Sequence, residues 1–154
     1  MLKGLSLIAL VMAISVDARN LRSNDVSIEA EPYTVVFIVW NIDSHDAKID
    51  YTSAARGSVW TQSLPEIVGG FQYTEGQLRG PEDGAEAGGH FYISYPSRDG
   101  CIVLGRIGGN RDGCIAEVFG IDHFAVDIRS DYDITGRTLT CTVLTAYMGQ
   151  FPRK

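Results

Sequence analysis

The chain has 154 residues and a formal net charge of -6. That length suits one domain with a substantial core. The acidity argues against a nucleic-acid-binding protein, which needs basic patches, and against simple electrostatic binding to anionic membranes. Any lipid recognition by this chain must therefore depend on specific contacts.

The segment 1–18, MLKGLSLIALVMAISVDA, has the layout of a secretory signal peptide. A basic Lys3 precedes an apolar run from Leu5 to Val16, and the small residues ending at Ala18 suit signal peptidase. The apolar run is short for a membrane span, and the rest of the sequence has no apolar stretch of that length. We expect cleavage after Ala18 and a soluble protein that is secreted to the extracellular space.

Residues 19–32, RNLRSNDVSIEAEP, are polar and have no periodicity, which predicts a flexible N-terminal arm. The arm begins with RNLR, which matches the RxLR tetrapeptide of oomycete host-entry effectors. That motif has few fixed letters and lies unusually close to the cleavage site. A solvated arm or a processing site is the favoured interpretation.

The body of the chain, residues 33–150, is predicted to form short strands separated by turns. The segment YTVVFIVW is β-branched and aromatic, while connecting segments such as PEDGAEAGG and RSDYDITG are rich in turn formers. The sequence therefore predicts an all-β, single-domain antiparallel β-sandwich, with variable loops over 62–88. The predicted strands are Tyr33–Trp40, Lys48–Thr52, Gly57–Gln62, His90–Tyr95, Cys101–Ile107, Cys114–Phe119, His123–Ile128 and Arg137–Tyr147.

The pentapeptide RDGCI occurs at Arg98–Ile102 and again at Arg111–Ile115, and it contains two of the three cysteines. Two Asp-Gly turns, each starting a strand, explain the repeat. In a hairpin of these strands Cys114 is expected opposite Ile107, which places Cys101 too far from Cys114 for a disulfide. The spacing is not that of CxxC metal sites, so no metal site is predicted.

Cys141 lies in an alternating strand on the same face as Leu139 and Val143, and we expect it to be buried. Cys101 or Cys114 could form a disulfide with Cys141 if the two sheets meet there. Three buried free thiols are an equal alternative, because buried cysteine behaves as a small apolar residue.

The chain has no recognisable catalytic or phosphate-binding motif. The histidines His45, His90 and His123 show no spacing signature, so surface or capping roles are favoured over catalysis. The cysteines lie at strand starts or within a strand, which does not suit an exposed reactive thiol. The sequence therefore predicts a protein that is not an enzyme and needs no cofactor. A small hydrolase built on His45 or His123 is the weakest alternative.

Two segments resemble the aegerolysins, a family of small acidic β-sandwich proteins. The first is VVFIVWNIDSHDAKI, residues 35–49, in which an apolar strand ends at Asn41 before a turn, with Gly57 following. The second is GPEDGAEAGG, residues 80–89, an acidic glycine-rich loop that leads into the strand beginning at His90. One departure is Arg56, because the family usually has an exposed tryptophan just before the glycine matched by Gly57.

The resemblance implies binding to sphingolipid-containing membranes, with or without sterol, and recruitment by some members of a perforin-like protein that forms the pore. It implies that Glu86, with Asp83 nearby, selects the lipid head group, since a carboxylate can pair with an ammonium group. Trp60, Tyr73 and Tyr95 are the candidate lipid-contacting aromatics, whereas Trp40 is expected at the end of a buried strand.

The resemblance therefore implies a secreted sphingolipid-binding protein, and the role it suggests is that of the docking component of a two-part cytolysin. The alternative is a secreted effector that binds a host protein and has no lipid role, supported by RNLR and the loops at 62–88.

Overall fold

The computed structural model describes residues 30–96, 100–119 and 124–147. The signal peptide, the arm up to residue 29 with its RNLR motif, and His123 lie outside the described residues. Ten strands account for the regular structure, and the described part of the chain contains no helix. The strands are β1 (Thr34–Asn41), β2 (Ala47–Ala54), β3 (Val59–Gln62), β4 (Ile67–Val68), β5 (Tyr73–Arg79), β6 (Ala87–Ser94), β7 (Gly100–Ile107), β8 (Gly113–Phe119), β9 (Phe124–Tyr132) and β10 (Thr138–Tyr147).

The strands form two sheets of five that pack face to face. Sheet A has the order β3-β5-β1-β10-β9, and sheet B has the order β4-β2-β6-β7-β8. The prediction of an all-β single-domain sandwich is confirmed. One pair departs from the antiparallel expectation, because β1 and β10 run parallel at the centre of sheet A.

The core lies between the inward faces of the sheets, as the alternation along each strand predicts. On β1 the side chains of Val35, Phe37 and Val39 point inward and are fully buried. Phe37 meets Phe91 of sheet B edge to face, with ring centroids 5.2 Å apart. Burial of one such ring stabilises the fold by about 1.5–3 kcal/mol relative to an exposed ring.

Strand β5 was missed by the sequence analysis, which placed 62–88 in loops. It lies between β1 and β3, so it is an interior strand of sheet A. Its inward positions are Thr74, Gly76 and Leu78, and of these Leu78 alone is a large apolar side chain. Gly76 leaves room for Leu64 and Trp60, because a Cβ there would lie 2.7 Å from the Cγ atom of Leu64. The inward face of β5 is thus filled from a neighbouring loop and strand, and the hydrophobic signal of β5 itself is weak.

A disulfide joins Cys114 of β8 to Cys141 of β10 and so connects the two sheets, with Cα atoms 5.6 Å apart. The sequence left Cys101 and Cys114 open as partners of Cys141, and the structure has Cys114. Cys101 is a free, buried thiol, and burial raises its pKa to about 12. The alternative of three free thiols does not hold in this structure.

The predicted register of the β7–β8 hairpin was wrong by two residues. Cys114 lies opposite Gly105 instead of Ile107, and Cys101 lies opposite Val118. The turn has the predicted length but lies one residue earlier, since the pair that closes it is Arg106 with Gly113. The shifted register brings Cys114 beside a glycine, and a Cβ at Gly105 would lie 2.9 Å from the Cys141 Sγ atom.

Candidate functional site

The sandwich has two ends, and they carry different kinds of loop. We call one the acidic-loop end, which has the loops 55–58, 80–86, 108–112 and 133–137. We call the other the aromatic end, which has the loops 42–46 and 69–72 and the start of the segment after β6. Strand β5 runs from the aromatic end at Tyr73 to the acidic-loop end at Arg79, a distance of about 20 Å.

The predicted site residues are divided between these ends. Asp83 and Glu86 belong to the acidic-loop end, where Gly80 packs against Ala87 at the start of β6. Tyr73 lies at the opposite end of the molecule. The structure therefore does not bring Glu86 and Tyr73 together, and an ammonium group held by Glu86 would not contact that ring.

At the acidic-loop end the carboxylates already have protein partners. Asp83 Oδ1 accepts a hydrogen bond from the Ala85 backbone N at 3.0 Å, which closes the turn on itself. Glu86 lies 3.7 Å from the Nε atom of Arg106, and both side chains are partly exposed. A ligand cation would have to compete with Arg106 for the Glu86 carboxylate.

Tyr95 and Trp60 were predicted to contact lipid, but the structure places both in packing positions. Tyr95 is only 3% exposed, and its hydroxyl donates to Asn41 Oδ1 at 2.6 Å. Burial raises the pKa of Tyr95 to about 12, so the hydroxyl keeps its proton. The Trp60 ring packs on Phe37 at 5.8 Å, and its Nε1 atom is buried with no hydrogen-bond partner in the described residues. We therefore assign both aromatics to packing.

Trp40 lies near the end of the largely buried strand β1, as expected, but its side chain is exposed. Alternation along β1 turns Val39 and Asn41 inward and Trp40 outward, where it is 41% exposed. Its ring stacks on Tyr73 of the neighbouring strand, with centroids 4.6 Å apart and planes inclined by 26°. An exposed pair of stacked aromatic rings therefore lies on the outer face of sheet A.

Two further apolar side chains lie beside this pair. Ile42 follows directly after β1, and Phe71 precedes β5; they are 50% and 73% exposed. The Phe71 backbone N donates to the Asp43 carbonyl, so the two segments stay adjacent beyond the ends of their strands. We call Trp40, Ile42, Phe71 and Tyr73 the aromatic rim. Of its members, sequence analysis had selected Tyr73 alone, because the unbroken apolar run of β1 does not show which of its side chains face outward.

A buried amide holds the loops that carry the rim. The Asn41 side chain is fully buried, and its Nδ2 donates to the carbonyls of His45, Val68 and Gly69 at 2.8–3.1 Å. Its Oδ1 accepts from the Tyr95 hydroxyl and from the Asp43 backbone N. One side chain thus connects the 42–46 loop, the start of the 69–72 loop and Tyr95 just after β6, and it restricts the loops next to the rim.

Asp43 adds a second set of contacts in the same region. Its Oδ1 accepts from the backbone N of His45 at 2.8 Å and lies 2.7 Å from the His45 ring Nδ1, while Oδ2 accepts from the Tyr147 backbone N. Burial raises the pKa of Asp43, but these hydrogen bonds outweigh it, and the pKa is lowered overall. The loop is therefore braced by an ionised carboxylate near neutral pH.

Two exposed aromatic residues have left-handed backbone conformations that bulky side chains rarely adopt. They are Tyr51 (φ 52°) and Phe71 (φ 56°), and they are the only such non-glycine residues in the described ranges. Such a conformation costs about 1–2 kcal/mol for an L-residue, and strain of this kind is found more often at functional positions. Tyr51 is 81% exposed, so little burial of its ring offsets the strain.

Tyr51 overhangs a groove of about 520 Å³ on the outer face of sheet B, between β2 and β6. We call it the β2–β6 groove. Tyr92 lies across from Tyr51 with ring centroids 6.4 Å apart, and Asp46, Lys48 and Asp50 supply the charged groups. Asp46 also accepts a hydrogen bond from the Gly70 backbone N, so the groove adjoins the loop that carries the rim.

His45 and His90, the histidines that the structure describes, do not form a common site. His45 pairs with Asp43 at the aromatic end, whereas His90 is exposed on the outer face of sheet B. Within residues 30–96, 100–119 and 124–147, no three His, Cys, Asp or Glu side chains are grouped so that they could hold a metal ion. Over the same residues there is no helix with the length and hydrophobicity to cross a membrane.

Comparisons with known proteins find the fold but not a family. No protein-family model matches the chain, and no curated protein matches it. Solved structures do match. The lipid-binding protein Nakanori aligns with a TM-score of 0.60 at 10% identity, over 73% of this chain and 70% of its own.

Two further structures have a similar fold. IP-1A from Alcaligenes faecalis aligns with a TM-score of 0.57 at 10% identity, over 80% of this chain and 98% of its own. The Xerocomus chrysenteron lectin XCL, in a mutated form, aligns with a TM-score of 0.51 at 9% identity, over 75% and 99%. At such low identity these likenesses show a shared sandwich fold, and the resemblance to aegerolysins stays a prediction.

Proposed function

We propose that the protein is a secreted, non-enzymatic protein that binds membrane lipid through the aromatic rim. The observation that carries the proposal is the cluster of exposed apolar side chains at one end, with Trp40 and Tyr73 stacked. Aromatic rings with a polar atom favour the boundary between lipid and water. The net charge of -6 makes a zwitterionic or neutral surface a better target than an anionic one.

Two observations support this proposal over a rim that serves only folding. The hydrogen bonds of Asn41 and Asp43 restrict the loops in advance, which lowers the entropy cost of binding. The fold is also that of a structure described as a lipid-binding protein. The finer proposal is a sphingolipid target, with a perforin-like protein as partner in a two-part cytolysin; its support is the resemblance of residues 35–57 and 80–93 to aegerolysins.

Co-sedimentation of the purified protein with vesicles tests the proposal. The vesicles contain phosphatidylcholine alone, sphingomyelin with cholesterol, or ceramide phosphoethanolamine with cholesterol. The double variant Trp40→Ser/Tyr73→Ser removes the stacked pair, and we expect binding to fall about tenfold or more. The matched control is Val59→Ser/Tyr132→Ser, which removes two exposed apolar side chains from the acidic-loop end of the same sheet and should leave binding unchanged.

The Glu86→Ala variant distinguishes the contribution of the acidic loop to lipid binding from that of the rim. If the acidic loop selects the head group, this variant alone should lose discrimination between the two sphingolipid mixtures. Equal binding by the wild type and the rim variant would contradict the proposed surface. No binding to any vesicle by folded protein would instead favour the alternative, a secreted effector that binds a host protein.

A further inference from the structure

The β2–β6 groove combines aromatic rings with an excess of negative charge. Two tyrosine rings, from Tyr51 and Tyr92, face the groove, and its acidic side chains are Asp46 and Asp50. The only basic side chain among its lining residues is Lys48, whose Nζ lies 2.9 Å from Asp50 Oδ2. The hydrogen bond and charge of Asp50 raise the pKa of Lys48. The charge of protonated Lys48 is therefore balanced by the Asp50 carboxylate, and Asp46 gives the groove a net negative charge.

The groove is also of a size and position that suit a small ligand. Its volume of about 520 Å³ lies within the range of ligand sites in proteins. It extends to the aromatic end, since Ser94 and Pro96 border it where β6 ends. The groove and the rim thus lie on the outer faces of different sheets, but both reach the aromatic end.

The conformation of Tyr51 supports a role in binding instead of packing. The pairing of β2 with β6 is interrupted between Asp50 and Ser53, and this bulge places Tyr51 in its left-handed conformation. The bulge turns the ring over the groove, where it is mostly exposed to solvent. Bulges of this kind re-aim side chains next to functional sites.

We propose that the β2–β6 groove binds an organic cation of the alkylammonium class, the group present in zwitterionic phospholipid head groups. Such a cation is attracted to the faces of aromatic rings and to a nearby carboxylate, and both kinds of group line the groove. The groove is distinct from the acidic loop, since Glu86 lies at the other end of the molecule. The inference deepens the proposed lipid function, and soluble ligands test it separately from membrane binding.

The first experiment titrates the purified protein with choline and follows binding by calorimetry. The comparison ligand is the uncharged isostere of choline, in which a tert-butyl group replaces the trimethylammonium group. We expect saturable binding of choline in the millimolar range, and binding of the isostere about tenfold weaker or worse. Equal affinity for the two ligands would overturn the proposal, because charge would then contribute nothing. Failure of choline to bind would overturn it as well.

The matched variants are Tyr51→Asn and Tyr132→Asn. Asparagine tolerates the left-handed conformation, so Tyr51→Asn removes the ring without disturbing the bulge. We expect Tyr51→Asn to bind choline about tenfold more weakly and Tyr132→Asn, an exposed tyrosine on β9, to bind like the wild type. Wild-type affinity in Tyr51→Asn, with the fold checked by circular dichroism, would show that the groove is not the site.

Vesicles of phosphatidylcholine and of phosphatidylglycerol identify the source of the cation. Choline binding together with a preference for phosphatidylcholine, reduced in Tyr51→Asn, supports a head-group site. Choline binding without vesicle binding supports the groove as a site for a free cation and contradicts the proposed membrane function. Vesicle binding that Tyr51→Asn leaves unchanged, with no choline binding, supports the rim and overturns the groove.

Discussion

The two ends of the sandwich differ in how their loops relate to solvent. At the acidic-loop end the charged side chains pair with neighbours on the surface, as Arg79 does with Glu82 and Arg106 with Glu86. At the aromatic end the polar groups of Asn41 and Tyr95 are buried, while Trp40 is exposed. Exposed apolar side chains occur at the acidic-loop end as well, as at Val59 and Ile134. The combination of a buried amide with an exposed stacked pair is a local reversal of polar surface and apolar interior, and it lies at the aromatic end.

The reversal indicates which end has a role beyond folding. Exposing large apolar rings gives no advantage to the folded chain alone, because a ring left in water gains little from burial. Exposed ion pairs such as those of the acidic loop contribute little to stability, and their presence does not indicate a binding partner. The contrast therefore favours the aromatic end as a binding surface, although the sequence had pointed to the acidic loop.

The largest expected effect concerns the disulfide, which lies toward the acidic-loop end of β8. Replacing Cys114 and Cys141 with alanine opens a loop closed by a sequence separation of 27 residues. The loss of this constraint should lower the free energy of unfolding by about 3.5 kcal/mol in the chain-entropy model. Urea unfolding measures this loss.

The comparison between the ends predicts that the Cys114→Ala/Cys141→Ala variant, where folded, binds vesicles like the wild type. The disulfide joins the sheets but does not contact the rim, so its removal should act on global stability alone. Loss of vesicle binding by fully folded variant protein would show that the two ends are coupled.

Asn41→Ala should have the next largest effect, and it should act on both stability and binding. It removes the donor to three loop carbonyls and the acceptor for the Tyr95 hydroxyl. Buried groups left without a partner cost about 1–3 kcal/mol each. Because the loops can relax and restore some of these contacts, we expect the free energy of unfolding to fall by about 3 kcal/mol in total. Urea unfolding and vesicle co-sedimentation measure the two effects.

Asp133→Ala is the control at the opposite end. Asp133 accepts hydrogen bonds from the backbone N atoms of Arg137 and Thr138, but in an exposed turn. We expect a smaller loss of stability than for Asn41→Ala and no loss of vesicle binding. If both variants weaken vesicle binding equally, the aromatic end has no special role.

Acid should distinguish the same two ends through Asp43 and Asp133. Hydrogen bonds outweigh the burial that raises the Asp43 pKa, whereas at Asp133 the bond from the Thr138 backbone N is the largest cause of a lowered pKa. A lowered folded pKa gives stability that is present above the unfolded value of about 3.9 and is lost as pH falls through the folded pKa. Both carboxylates should therefore stabilise the fold at neutral pH and lose that effect in strong acid.

Unfolding of Asp43→Asn and Asp133→Asn between about pH 5 and pH 2 measures this dependence. Each variant should show a smaller fall in stability with acid than the wild type. Only Asp43→Asn should also weaken vesicle binding at neutral pH, since the carboxylate braces the 42–46 loop. A steeper fall in either variant would contradict the assigned sign.

Sequence patterns predicted the fold because alternation and turn chemistry are local. The β-branched and aromatic run of β1 identified a strand directly, and the alternation with threonine on β10 placed Cys141 in the core. Strand β5 escaped because its inward positions include threonine and glycine, and side chains from β3 and the loop that follows it fill the space. Such compensation is a property of the packed structure and leaves no mark on the strand's own sequence.

The candidate site was predicted far less well. Glu86 and Tyr73 are separated in sequence by only a strand and a turn, but that strand carries them to opposite ends of the sandwich. Tyr95 and Trp40 were assigned the wrong exposure, because an aromatic residue at the end of a strand gives no local sign of which face it occupies. The left-handed conformations of Tyr51 and Phe71 follow from strand pairing and loop contacts, so no sequence rule indicated them.

The smallest expected effect has the opposite sign to the others and tests the rim most directly. Phe71→Asn keeps the left-handed conformation, which asparagine tolerates, and removes an exposed ring that contributes little to the core. We expect the free energy of unfolding to rise by up to about 1 kcal/mol, because the strain of a bulky side chain is relieved. Vesicle binding should fall severalfold in the same variant.

A gain in stability together with a loss of binding would identify Phe71 as a residue retained for function at the expense of the fold. Tyr132→Asn serves as the control, because it removes an exposed ring from a strand position without relieving left-handed strain, and neither quantity should change appreciably. A loss of stability in Phe71→Asn would show that the ring supports the 69–72 loop. Phe71 would then no longer support the assignment of the aromatic end to binding, and Tyr51 would be the one strained residue left that does.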